Sequence, residues 1–135
     1  MNAAKDFYYV TDDKHQIKSA DVERLLKRTY WASQRTKEVI QKSIDNSICY
    51  GVFDSESNLL IGFARVVTDY ATIFYLADVI VDEAYQGKGI GKFLVDTVVN
   101  DDKIKGLRGI LLTKDAHKLY ERFGFNHEME RCMVK

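Results

Sequence analysis

Proline is absent from all 135 residues, so no X-Pro isomerisation slows folding. Cysteine is scarce. Cys49 and Cys132 stand alone, without CxxC or His/Cys ligand spacing, which excludes a disulfide framework and fits a reduced compartment. Cys49 lies in an apolar, strand-like run and reads as buried packing. Net charge is also missing. Twenty basic residues balance twenty acidic ones, which argues against broad non-specific nucleic-acid binding. No apolar run approaches the roughly 20 residues that a membrane-spanning helix needs. The opening MNAAKDFYYV is too polar for a secretion signal. A single cytoplasmic domain spanning residues 1–135 is expected, with no membrane and no nucleic-acid partner.

Hydrophobic content of 46% and charged content of 30% are ordinary for a globular chain with a real core. Residues 7–10 read as a first strand. Ser19 or Asp21 is positioned to cap a helix carrying Val22, Leu25 and Leu26 on one face. Thr36 is positioned to cap a second helix with Val39, Ile40 and Ile44. Residues 47–53 and 59–67 read as a hairpin around the polar turn 54–58. Residues 72–81 form a fourth strand, apolar enough near its end to be buried on both faces. Helical spacing returns with Ile90, Phe93, Leu94, Thr97 and Val98. A fifth strand follows over 109–113. Asp115 is placed to cap a last helix, and Gly124 to end it. Residues 125–134 are expected to add one or two closing strands. The fold class is α/β with a mixed α+β sheet, in the order β-α-α-β-β-β-α-β-α-β.

The most informative stretch is Tyr85-Gln86-Gly87-Lys88-Gly89-Ile90-Gly91-Lys92. Its glycines let the backbone turn and approach a ligand, and the helix that starts there aims free N–H groups and a positive dipole end into the loop. It is a phosphate cradle by composition. It fails as a Walker loop, because neither Lys88 nor Lys92 is followed by Ser or Thr in a GxxxxGK register. It also fails the dinucleotide fingerprint, because Lys92 stands where the third glycine belongs.

It does satisfy a Gln/Arg-x-x-Gly-x-Gly pattern through Gln86, Gly89 and Gly91. This resembles the acetyl-CoA loop of the GCN5-related N-acetyltransferase (GNAT) superfamily. The resemblance covers most of the chain, and a second signature lies in the expected place, Leu119-Tyr120 followed by Gly124-Phe125. It implies an N-acetyltransferase that moves an acetyl group from acetyl-CoA, its co-substrate, to a primary amine without an acyl-enzyme and without a metal. The amides of Gln86, Gly87, Lys88, Gly89, Ile90, Gly91 and Lys92 would hold the pyrophosphate. The backbone of Val79, Ile80 and Val81 would pair with the pantetheine where the fourth and fifth strands splay. Tyr120 would be the acid that protonates the leaving thiolate. Read without the family, Tyr120 is equally a core aromatic on an apolar helix face.

Asp78 is the one charged residue inside the apolar run 73–81. Buried there, it needs a partner or a raised pKa; it is either the general base or a carboxylate holding an arginine such as Arg65. Tyr30, Trp31 and Arg35 lie between the first two helices, where the family binds a small-molecule or peptide amine. Two departures from the family pattern stand out. Glu83 replaces a common proline, implying a less rigid loop entry, and Thr113 replaces a common asparagine. The superfamily often dimerises, which leaves a homodimer open. The competing class is a non-catalytic acyl-CoA sensor, which would keep the glycine loop and need neither acid nor base.

Overall fold

A computed structural model describes residues 7–135; the polar start of the chain, residues 1–6, lies outside them. Strand β1 (Tyr8–Thr11) is followed by helices α1 (Ser19–Leu26) and α2 (Lys37–Asp45). Strands β2 (Ile48–Asp54), β3 (Leu60–Thr68) and β4 (Ile73–Val81) come next. Helix α3 (Ile90–Val99), strand β5 (Arg108–Leu111) and helix α4 (His117–Glu121) complete the order. The sheet runs β1-β2-β3-β4-β5. The first three junctions are antiparallel and the last, reached by the α3 crossover, is parallel.

Strand alternation places one cluster on each face. Tyr50 and Val52 of β2 and Ala64 and Val66 of β3 meet Ile90, Leu94, Val95 and Val98 of α3. Cys49, Phe53, Leu60 and Phe63 point the other way and meet Val22, Leu25 and Leu26 of α1 and Ile40 and Ile44 of α2. Cys49 is fully buried, and burial pushes its thiol up to about 11, consistent with packing rather than nucleophilic chemistry.

Local chemistry sets the ends. Thr36 caps α2 by accepting from the Val39 amide at 3.2 Å. Asp54 Oδ1 accepts from the Glu56 and Ser57 amides and closes the β2–β3 turn. At the end of α4, Gly124 takes φ +90°. There the Gly124 amide donates to the Glu121 carbonyl and the Phe125 amide to the Tyr120 carbonyl, the paired bonds of a Schellman motif.

Several expectations are corrected. Neither Ser19 nor Asp21 caps α1: its cap position is Lys18, with no side-chain hydrogen bond, and Asp21 lies in the first turn. Asp115 does not cap α4 either. Thr113 Oγ1 accepts from the Ala116 amide at 3.0 Å and closes that turn instead. β4 is not buried on both faces; Phe74, Leu76 and Asp78 are buried, Ile73 is exposed and the other β4 residues are only partly buried. Residues 126–135 form no strand. Glu128 and Arg131 pair across three residues and the Arg131 amide donates to the Glu128 carbonyl, so this exposed, charged segment closes on itself as a turn. No helix among the described residues is long and apolar enough to cross a membrane.

Candidate active site

The cleft starts from two irregularities in β4. The first is a bulge. Arg65 pairs with Ala77 and Phe63 with Ile80, so Asp78 and Val79 together oppose the single residue Ala64. Asp78 takes φ +54° to make room. The extra residue reverses the alternation. Before the bulge the even positions Phe74 and Leu76 face α3; after it the odd positions Val79 and Val81 do, and Ile80 packs towards α1 and α2.

The second irregularity is a parting of strands. β5 pairs with β4 only from Ile73↔Arg108 to Leu76↔Leu111. From Ala77 onward β4 keeps its β3 partner and has an open edge on the other side, running along Val79, Ile80 and Val81.

At the end of that edge Asp82 caps the short 3₁₀ turn Glu83–Tyr85 by accepting from the Ala84 amide at 2.9 Å. Arg24 clamps Asp82 at 2.9 Å and donates to the Leu60 carbonyl. Arg28 pairs with Glu83. The loop entry expected to be less rigid without proline is therefore held by a cap and two arginines of the first helical segment. Gly87 and Gly89 both adopt φ +80°. Nothing lies within 4 Å of a Cβ built on either, so backbone conformation, not crowding, demands glycine there. Gly91 is different: its φ is not positive, and an added Cβ would rest 3.8 Å from Val81. The amide of Phe93, donating to Gly89, is the first helical hydrogen bond of α3. The amides of residues 89–92 before it are the four unpaired donors of a helix start, and those of Gly87 and Lys88 just ahead have no partner among the described residues either; Lys88 and Lys92 are exposed beside them and Gln86 turns back onto the Val81 carbonyl.

Asp78 anchors the other end. Its side chain is 2% exposed. Oδ1 accepts from Trp31 Nε1 at 3.0 Å; Oδ2 accepts from Arg35 Nη1 at 2.7 Å and Arg65 Nε at 2.9 Å. Arg65 is held in turn by Ser47 Oγ. Burial alone would raise the Asp78 pKa, but the Arg35 hydrogen bond and the Arg65 charge outweigh it and hold the carboxyl below its usual range. Asp78 thus holds two arginines, Arg35 and Arg65, as well as the Trp31 indole.

Tyr120 sits in α4, 9% exposed, with its ring edge-on to Phe125. Burial, reinforced by Asp115 and Tyr30, pushes its hydroxyl up to about 12. That hydroxyl has no hydrogen-bond partner among the described residues, and its oxygen keeps some exposure to solvent. Tyr30 and Trp31 meet edge-to-face at 5.0 Å, and Lys114 lies 5.3 Å above the Tyr30 ring. This cation–π contact ties the α1–α2 loop to the β5–α4 loop. Lys114 carried no signal in the sequence, since a loop lysine is ordinarily solvated.

A free strand edge beside a row of free amides, with an unpartnered buried tyrosine nearby, suits an acyl-CoA. The family model for the acetyltransferase (GNAT) family matches residues 16–125. The chain belongs to the GNAT family. It is 31% identical over 118 residues to an uncharacterized ycf52-like N-acetyltransferase of Prochlorococcus marinus, across 85% of this chain and 65% of that protein. The GNAT-family chain thus spans somewhat under two thirds of that relative. A Xanthomonas campestris structure assigned to the GNAT family superposes with a TM-score of 0.87 at 36% identity, over 95% of this chain and 92% of the other. A Clostridium acetobutylicum structure, an acetyltransferase by prediction and solved with acetyl-CoA, shares the fold at 16% identity, with a TM-score of 0.69 over 95% and 94%.

Proposed function

We propose that this GNAT domain transfers the acetyl group of acetyl-CoA to a primary amine by direct attack. The observation that carries the reading is the parting of β4 from β5 beside the amides of residues 87–92. An extended pantetheine completes the open β4 edge as an added strand would, and a pyrophosphate sits on the amides and the α3 dipole.

The bulge supplies the next part. With two residues opposite one, main-chain groups at Asp78 and Val79 are released from the ladder, and their amides are available to an oxygen that gains negative charge. The amine nitrogen forms a bond to the acetyl carbon, the carbon–sulfur bond breaks, and the thiolate takes the proton of Tyr120. A hydroxyl displaced upward to about 12 stays protonated through neutral pH and is available as a donor. Positioned acid catalysis of this kind is worth roughly 10²–10⁴-fold. Asp78, ionised and occupied by three donors, serves as the anchor of the bulge, and the proton of the attacking amine leaves through water.

Incubation with acetyl-CoA and an amine panel, following free thiol, tests this. Turnover with at least one amine is expected. Tight acetyl-CoA binding with no turnover for any amine overturns the enzymatic reading and leaves a sensor.

A further inference from the structure

The acceptor end is cationic and aromatic, and its carboxylate is already used. A shallow pocket of about 320 Å³, lined among others by Tyr30, Trp31, Gln34, Arg35, Thr36 and Val39, shares with the bulge the two side chains, Trp31 and Arg35, that hold Asp78. No acidic residue lines it. The nearest buried carboxylate, Asp78, is filled by Trp31, Arg35 and Arg65. A polyamine or a lysine-rich peptide would bring several positive charges here and find no carboxylate among the residues that line the pocket. It would also face Lys114, which leans over Tyr30 from the opposite loop; the exposed Asp115 beside it is the one acidic residue on that loop.

Arg35 points the other way. One nitrogen, Nη1, is pinned to Asp78 Oδ2 at 2.7 Å. Its Nε and Nη2 have no hydrogen-bond partner among the described residues, and the side chain is 29% exposed into the pocket. A guanidinium fixed at one corner with the remaining donors open is pre-organised for a carboxylate or phosphate. Tyr30, 63% exposed, and Trp31, 42% exposed, offer flat apolar surface next to it. Solvated on their own, such rings leave an uncovered patch that an apolar body would cover.

Resting on the acetyltransferase reading above, we propose that the acceptor is a small primary amine carrying an anionic group, which Arg35 binds while Tyr30 and Trp31 cover its apolar part. The amine then reaches the bulge with its charge partner held one side chain away. Arg35 thereby selects the acceptor, in addition to bracing Asp78.

The test compares matched acceptors. Leucine is set against leucinamide, an aminoalkyl phosphate against the corresponding amino alcohol, and spermidine is included as the polycation. Rates are measured with acetyl-CoA and corrected for the fraction of free amine. The anionic member of at least one pair should exceed its neutral partner in kcat/KM by about tenfold or more, in line with a charge-assisted hydrogen bond; which pair does so tells carboxylate from phosphate. Arg35→Gln should reduce that ratio to about twofold or less, and Arg35→Lys should keep part of it. A purely structural Arg35 would lower all rates together and leave the ratio unchanged, which overturns the proposal. If Arg35→Gln does not fold, the wild-type ratio and Arg35→Lys decide. Neutral amines or spermidine turned over as well as the anionic ones also overturn it, with the acetyltransferase reading intact. Acetyl-CoA binding with no turnover of any amine sinks both.

Discussion

From Gly87 to Lys92 the cleft is lined by main-chain amides of one continuous segment, whereas its acceptor end is lined by side chains from four separate stretches: Trp31 and Arg35, Arg65, Asp78, and Lys114. The donor side needs only a backbone path, so it tolerates wide side-chain variation at its exposed positions. The acceptor side works through charge and shape, so each substitution there alters what is recognised. On the proposed reading, the first region serves the co-substrate and the second serves the acceptor.

The largest effect expected on this contrast lies between the two regions. Tyr120→Phe should lower kcat by roughly 10²–10⁴-fold with acetyl-CoA affinity unchanged; steady-state kinetics with a direct binding titration will show it. If kcat holds, Tyr120 is a core aromatic and the thiolate leaves unaided. The same hydroxyl makes a pH prediction. Burial pushes its pKa up to about 12, above the ordinary tyrosine value of about 10, so its stabilising effect is complete below about pH 10 and is lost as pH rises towards 12. Wild-type stability should fall more steeply than that of Tyr120→Phe across this window.

On the acceptor side, Asp78→Asn keeps a residue that tolerates positive φ but leaves Arg65, 14% exposed, without its anion. A loss of about 3 kcal/mol in chemical denaturation is expected. The pH–rate profile should keep its acid limb, because a carboxyl held below its usual range is already ionised at working pH. An acid limb that vanishes in Asp78→Asn would restore the general-base role.

On the donor side, Gly89→Ala forces a Cβ into φ +80° at a cost of about 1–2 kcal/mol, seen as roughly a tenfold loss in acetyl-CoA affinity. Gly91→Ala, at ordinary φ with room for a methyl, should change affinity within about 0.5 kcal/mol. Equal losses at the two positions would mean that crowding, not backbone conformation, dictates the glycines. The smallest effect is reserved for Arg28→Ala. Its pair with Glu83 is largely exposed, so thermal unfolding should move by no more than about 1 kcal/mol.

Much of this was legible in the chain. Periodicity located all five strands and four helices to within a few residues, and Thr36 and Gly124 were correct as helix punctuation. The misses have local causes. Ser19, Asp21 and Asp115 are good capping residues, but Lys18 and Thr113 occupy the positions where the chain turns. The closing strands expected over 125–134 do not form: the stretch has no regular alternation to hold a strand, and the Glu128–Arg131 pair closes a turn there. The β4 bulge left no mark beyond a lone Asp78 in an apolar run, since a bulge is a matter of register with a partner strand.

Residue order alone determined the sequence of strands and helices as far as α4, the glycine loop and the family to which the chain belongs. These depend on spacing within a few residues, and spacing is a property of the chain. Only the tertiary structure decided that Asp78 is an anchored counter-ion, that Arg35 keeps open donors, and that Lys114 reaches across to Tyr30. Arg35 and Arg65 lie 43 and 13 residues from Asp78 in the chain. No pattern along one strand or helix encodes a carboxylate's ionisation when both cations that hold it arrive from elsewhere in the fold.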